Sequence, residues 1–173
     1  MNMSQEIFLI DSNSIIAPFH SYYPFDFAHG FWTQLGQYIE NGRIIILDMV
    51  LEEIMKGNDR LTEWIHESSS REPLDHREES TIIYYAQILQ YIQSNPLYKQ
   101  DALMEWARDD IADPWIIAAA KNHGFTIVTF EVPNSNPDPK HGWKKAKIPD
   151  IAREFDVKTI NLFAMMRALE FRL

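Results

Sequence analysis

The chain has 173 residues, 46 % of them hydrophobic and 24 % charged, enough to bury roughly 70 % of its unfolded surface without a disulfide or a structural metal. It contains no cysteine, which excludes thiolate zinc sites, thiol nucleophiles and a disulfide scaffold, and agrees with a reducing compartment. A formal charge of −9 excludes gripping nucleic acid by net charge alone; it suits solubility, or a carboxylate cluster that cations neutralise.

The opening MNMSQEIFLIDS has no basic region followed by a long apolar run, so no signal peptide is expected. Ile7 to Asp11 is a short apolar run ending in a polar residue, the pattern of a buried parallel strand. Phe27 to Glu40 reads as a helix stopped by Asn41-Gly42, and Arg43 to Leu47 as a second buried strand. Met49 to Ile65 carries a helical apolar stripe interrupted at Gly57. His66 to Ser80 is polar and reads as a loop, followed by helices over Thr81 to Ile92 and Asp101 to Arg108. Pro114 to His123 is a further helix with Gly124 just past its end. Thr126 to Phe130 is a third strand. Glu131 to Asp150, with four prolines and a run of lysines, is a second loop. Asp150 to Phe155 reads as a short helix, Lys158 to Phe163 as a fourth strand, and the remainder to Leu173 as a helix. No apolar stretch approaches the ~18 residues that a membrane span requires, so a soluble, cytoplasmic protein is expected.

Strands alternating with helices predict an α/β fold: a three-layer α/β/α sandwich, one domain over 1–173, with a central, mostly parallel sheet of four to five strands. In such sheets ligands sit beyond the carboxyl ends of the strands. Those positions hold acids. Asp11 ends the first strand, and Glu52 and Glu53 lie in the helix after the second. Asp113 opens the helix before the third, with Asp109 and Asp110 just upstream, and Glu131 follows the third directly. Carboxylates brought together without cations repel one another. Hard divalent ions relieve this, because Mg²⁺ takes a few carboxylate oxygens and keeps waters for chemistry. Two such ions can serve the attacking and leaving oxygens of a phosphodiester. Each acid also has a structural reading: Asp113 before Pro114 suits a helix cap, Asp11 a strand end, and Glu131 a solvated loop position. Of the two helical glutamates, Glu53, preceding Ile54, is the one expected to face inward.

The residues that carry this pattern also carry a resemblance. IFLIDSNSII, VLEEIMKG, ADPWIIAAAKNHGFTIVTFE and KIPDIAREFDVKTINLF together resemble the PIN domain, and within it the VapC-type toxin ribonucleases. The resemblance implies a PIN-like fold and places the family's metal-binding, catalytic acids on Asp11, Glu53, Asp113 and Glu131. It places supporting polar residues on Asn13 and Thr129. It implies a metal-dependent endoribonuclease using Mg²⁺ or Mn²⁺, acting on RNA and held in check by a cognate antitoxin. Two departures stand out: Glu131 occupies a position where Asp is more usual, and Pro114 directly follows the third acid.

The stretch Asp138 to Lys147 sets Lys140, His141, Lys144, Lys145 and Lys147 around Trp143. It reads either as an RNA-guiding loop, lysines for phosphate and Trp143 for a base, or as a solvated loop whose Trp143 tucks back onto the domain. The histidines show no zinc-ligand spacing. The aromatic run Phe19 to Phe27 reads as packing, with an exposed part suited to a homodimer or partner surface. The competing function is a catalytically silent PIN-like scaffold binding a protein or RNA, against which all four acid positions are filled. A dehalogenase-type phosphatase would want a second Asp where Asn13 stands. No glycine-rich loop supports a nucleotide-binding enzyme.

Overall fold

Three consecutive residues with no exposed surface, Phe8, Leu9 and Ile10, make strand β1, Phe8–Ile10. Only a strand covered on both faces can bury every side chain in a row, and β1 has neighbours on either side. It pairs in parallel with β2, Ile44–Ile45, and with β3, Thr126–Val128, in the register Phe8 to Ile44 and Phe8 to Thr126. Strand β4, Thr159–Ile160, lies beyond β3, giving the order β2-β1-β3-β4. The computed structural model describes residues 5–135 and 142–173. They fall into two compact units: Met1–Asp75 with Thr126–Phe130 and Ile160–Leu173, and His76–Phe125 with Glu131–Thr159.

The first unit holds β1, β2 and β3. After β1 come α1, Asn13–Ala17, and one turn of π-helix, Pro18–Tyr22. Pro18 has no N–H to give to the preceding turn, and the chain closes instead through a wider bond from the Tyr23 amide to the Pro18 carbonyl, 2.7 Å. The sequence reading did not anticipate these two turns. Helix α2, His29–Glu40, buries Phe31, Trp32, Leu35 and Ile39 on one stripe. The helical stripe over Met49 to Ile65, interrupted at Gly57, forms two helices: α3, Asp48–Met55, and α4, Arg60–Ser68. Gly57 and Asn58, the latter at φ 46°, turn the chain. Asp59 then restarts it by accepting the amides of Leu61 and Thr62 at 3.0 and 3.3 Å. Strand β4 is shorter than the predicted Lys158–Phe163, because Asn161 caps α9, Leu162–Ala168, through a bond from the Ala164 amide. Beyond β2, the Leu74 amide donates to the Ile46 carbonyl and the Asp48 amide to the Leu74 carbonyl, both at 2.9 Å, so the segment around Leu74 lies along the sheet edge.

The second unit is built from α5, Glu79–Ser94; α6, Gln100–Trp106; α7, Asp113–His123; and α8, Ile148–Glu154. Helix α7 buries Pro114 and every residue from Ile116 to Ala120, its three alanines letting neighbouring helices approach closely. Asn122 fastens it to α5 through bonds of 3.1 Å to Glu78 and to Thr81, and His123 meets Glu78 at 2.6 Å. Gly124, the glycine expected just past the end of this helix, ends it in the left-handed conformation at φ 72°. Among the described residues no helix is long and apolar enough to cross a membrane.

Candidate functional site

With β2 on one side of β1 and β3 on the other, the chain reverses its direction of travel across the sheet between β1 and β3. That is where an open α/β sheet forms its ligand crevice, beyond the carboxyl ends of the strands. Asp11 follows β1 at this point. Its amide donates to the Val128 carbonyl at 2.9 Å, and its own carbonyl accepts the Ser14 amide at 3.0 Å. The side chain is 5 % exposed. Its Oδ2 accepts a hydrogen bond from the Thr129 hydroxyl at 3.0 Å. Thr129 is itself fixed, being buried and donating its amide to the Ile160 carbonyl at 2.9 Å. Ser14 adds a bond to the Val128 carbonyl at 3.2 Å, tying the first turn of α1 to the end of β3. A buried carboxylate held by a hydroxyl is a pre-oriented oxygen donor. Asn13, at the start of α1, is exposed.

Glu53 lies in α3 on the same unit. Both Glu52 and Glu53 are exposed, while Met49, Val50 and Ile54 are buried, so the inward turn expected of Glu53 is not seen in its burial. Asp48 was not singled out in the sequence. It opens α3 just past the β2 edge, with Oδ1 accepting the Met49 amide at 2.8 Å, and its carboxylate lies within 4.8 Å of that of Asp75. The signal was present, since RIIILD repeats the apolar-run-into-Asp pattern of IFLID; the helical stripe that follows drew attention to the glutamates instead.

In the second unit Asp113 is the first residue of α7, half-buried, with Ala112 in the cap position. Asp113 therefore stands one position past the cap expected of it, and Pro114 takes the second helical position rather than the first. The carboxylate still lies in the first turn, where the helix dipole favours negative charge. Glu131 is engaged at both oxygens: Oε1 accepts from Lys147 Nζ and Oε2 from the Ile148 amide, each at 2.8 Å. It thus serves α8 as a distant cap. The bond from Glu131 holds the Lys147 ammonium above its ordinary pKa, with the charges of Glu131, Asp113 and Glu105 acting in the same direction against partial burial. Asp113 and Glu131 are thereby brought together electrostatically on one lysine. The sequence reading had grouped Lys147 with the lysines around Trp143 and assigned it no contact with an acid.

Trp143 packs on Tyr98, ring centroids 5.2 Å apart, and its indole N–H donates to the Ser135 carbonyl at 3.0 Å. Its backbone exchanges bonds with Leu97 and Lys99. Lys144 and Lys145 are exposed, and Lys140 and His141 lie outside the described residues. The donors at Asp11, Asp48 and Asp75 in the first unit, and at Asp113 and Glu131 in the second, are carboxylate oxygens, a donor type that suits a hard cation such as Mg²⁺ or Mn²⁺ and not a soft one.

A family model described as a domain of unknown function, DUF4411, matches residues 8–173. The chain belongs to the DUF4411 family. Among curated proteins, none matches it. Solved structures similar to this DUF4411 chain include VapBC2 from Rickettsia felis bound to a DNA fragment from their promoter, at 15 % identity and a TM-score of 0.53, covering 90 % of this chain and 98 % of that one. FitAB bound to the IR36 DNA fragment is 17 % identical, with a TM-score of 0.54 over 91 % and 96 % of the two chains. FitAcB from Neisseria gonorrhoeae is 18 % identical, with a TM-score of 0.53 over 91 % and 99 %. At such identities the likeness concerns the fold alone, a three-layer α/β/α sandwich.

Proposed function

We propose that this DUF4411 protein is a metal-dependent endoribonuclease that hydrolyses RNA phosphodiester bonds, acting as the toxin of a toxin–antitoxin pair in the cytoplasm. The observation that carries the reading is Asp11: a buried carboxylate beyond β1, where the sheet opens its crevice, held by Thr129. The fold it shares with VapBC2 and FitAB, both of them complexes with DNA, supports the toxin–antitoxin part of the reading. Asp11, Glu53, Asp113 and Glu131 are the proposed metal ligands, and Asp48 with Asp75 could add to the negative field at the β2 edge. A bound Mg²⁺ or Mn²⁺ would supply an activated water and charge stabilisation for the phosphodiester. Thr129 fixes the rotamer of Asp11, and Lys147 fixes that of Glu131. Lys147 also offsets repulsion between acids before any cation arrives.

A second reading, a silent PIN-like scaffold, is favoured by one observation: both oxygens of Glu131 are already engaged by Lys147 and Ile148. Cleavage of a labelled RNA pool in Mg²⁺, in Mn²⁺ and in EDTA, with Asp11→Asn in parallel, separates the two. Metal-dependent cleavage that vanishes in Asp11→Asn is the expected result. Equal inertness of both proteins, with no heat of Mn²⁺ binding to either, would leave the scaffold.

A further inference from the structure

Tyr22, Phe130 and Phe163 form a three-ring cluster on the unit that carries Asp11. The ring centroids of Tyr22 lie 6.0 Å from each of the other two, which are 5.9 Å apart, and all three pairs are tilted or edge-on. Phe130 and Phe163 are half-buried, whereas Tyr22, the last residue of the π-turn, is 50 % exposed. Tyr22 thus presents part of its ring to solvent beside two others. The cluster also has a definite address. Phe130 lies two residues past Val128, the last residue of β3, at the carboxyl end of the sheet where Thr129 holds Asp11.

Phe163 also lines a cleft of about 220 Å³ together with Tyr23, Met166 and Arg167. Arg167, exposed on α9, stands four residues after Phe163 and so on the same side of the helix. An RNA strand approaching this chain meets a formal charge of −9, which repels phosphates. Affinity must then come largely from contacts indifferent to net charge, and an aromatic face stacks on an unpaired base of any identity.

We propose that Tyr22, with Phe130 and Phe163 behind it, is a stacking site for one unpaired base of single-stranded RNA beyond the carboxyl end of β3, with Arg167 taking the adjoining phosphate. This rests on the ribonuclease reading above. Bases inside an A-form duplex are not offered to such a site, so the cluster selects single strands, loops or ends.

The test uses a single-stranded oligoribonucleotide carrying one 2-aminopurine, titrated with the full chain in EDTA, so that binding is read apart from cleavage. Stacking quenches the probe. Tyr22→Ala should lose the quench and bind about ten-fold more weakly or worse, while Tyr22→Phe keeps both. In Mg²⁺ or Mn²⁺ the Ala variant should show a raised KM with kcat unchanged. An unaltered quench and affinity in Tyr22→Ala would overturn the site. So would a change in the sedimentation of free protein with RNA affinity intact, because the face would then be a contact between copies of the chain. A parent protein that quenches the probe but cleaves no RNA sinks the hydrolytic reading and keeps the stacking site. One that cleaves RNA with a KM indifferent to Tyr22 does the reverse.

Discussion

Thr129 donates its hydroxyl to the Asp11 carboxylate at 3.0 Å, and both side chains are buried at the carboxyl ends of adjacent strands. A buried carboxylate that loses a donor bears its own desolvation cost, on the order of 1–3 kcal/mol. Thr129→Val keeps the shape and removes the hydroxyl. It should lower stability by about that amount in urea unfolding and weaken Mn²⁺ binding several-fold by calorimetry, with Thr129→Ser recovering most of both. A Val variant as stable as the parent and equally avid for Mn²⁺ would remove Thr129 from any supporting role.

The Glu131–Lys147 pair separates a helix-capping role from a metal-binding one. Glu131→Gln keeps one acceptor for the Ile148 amide and loses the charge, so its cost should be about 1 kcal/mol. Lys147→Met removes the cation that Glu131 holds and on which Asp113 acts. If Glu131 ligates metal, Mn²⁺ should bind more tightly to Lys147→Met and more weakly to Glu131→Gln. Identical Mn²⁺ isotherms for the parent and both variants would make Glu131 a cap and nothing more.

Glu40 gives a pH dependence. Its carboxylate accepts from Ser69 Oγ at 2.7 Å and from the Ser70 amide and hydroxyl, each at 2.9 Å. Those bonds, the Ser69 hydroxyl foremost, hold its pKa below the ordinary 4.5. A depressed carboxylate pKa contributes stability that is present above the unfolded value and is lost as pH falls through the folded one. The difference in urea midpoint between parent and Glu40→Gln should therefore be flat near neutrality and shrink only below the ordinary carboxylate range. A difference that grew on acidification would have the wrong sign.

Gly124 ends α7 at φ 72°, and a Cβ added there would meet nothing within 4 Å. The cost of Gly124→Ala is then conformational rather than steric, about 1–2 kcal/mol for an L-residue held left-handed. Gly124→Asn, which tolerates that region better, should cost less. Thermal melts of the two variants decide it, and a raised melting temperature for the Ala variant would contradict the assignment.

Much of the architecture was fixed by local pattern. The unbroken apolar runs at Phe8–Ile10 and Thr126–Val128, the α7 segment with its trailing glycine, and acids at the ends of strands all follow from periodicity and turn chemistry. Their identities sufficed to nominate Asp11, Glu53, Asp113 and Glu131. What the sequence could not decide is what each side chain touches. Thr129 meets Asp11 across 118 positions of chain, and Lys147 meets Glu131 across 16. The cap expected of Asp113 and the inward turn expected of Glu53 depended on a single residue of helix phase, which local propensity does not set. Periodicity records which residues are covered; the partner of a buried charge is settled by desolvation, and desolvation is a property of the folded chain alone.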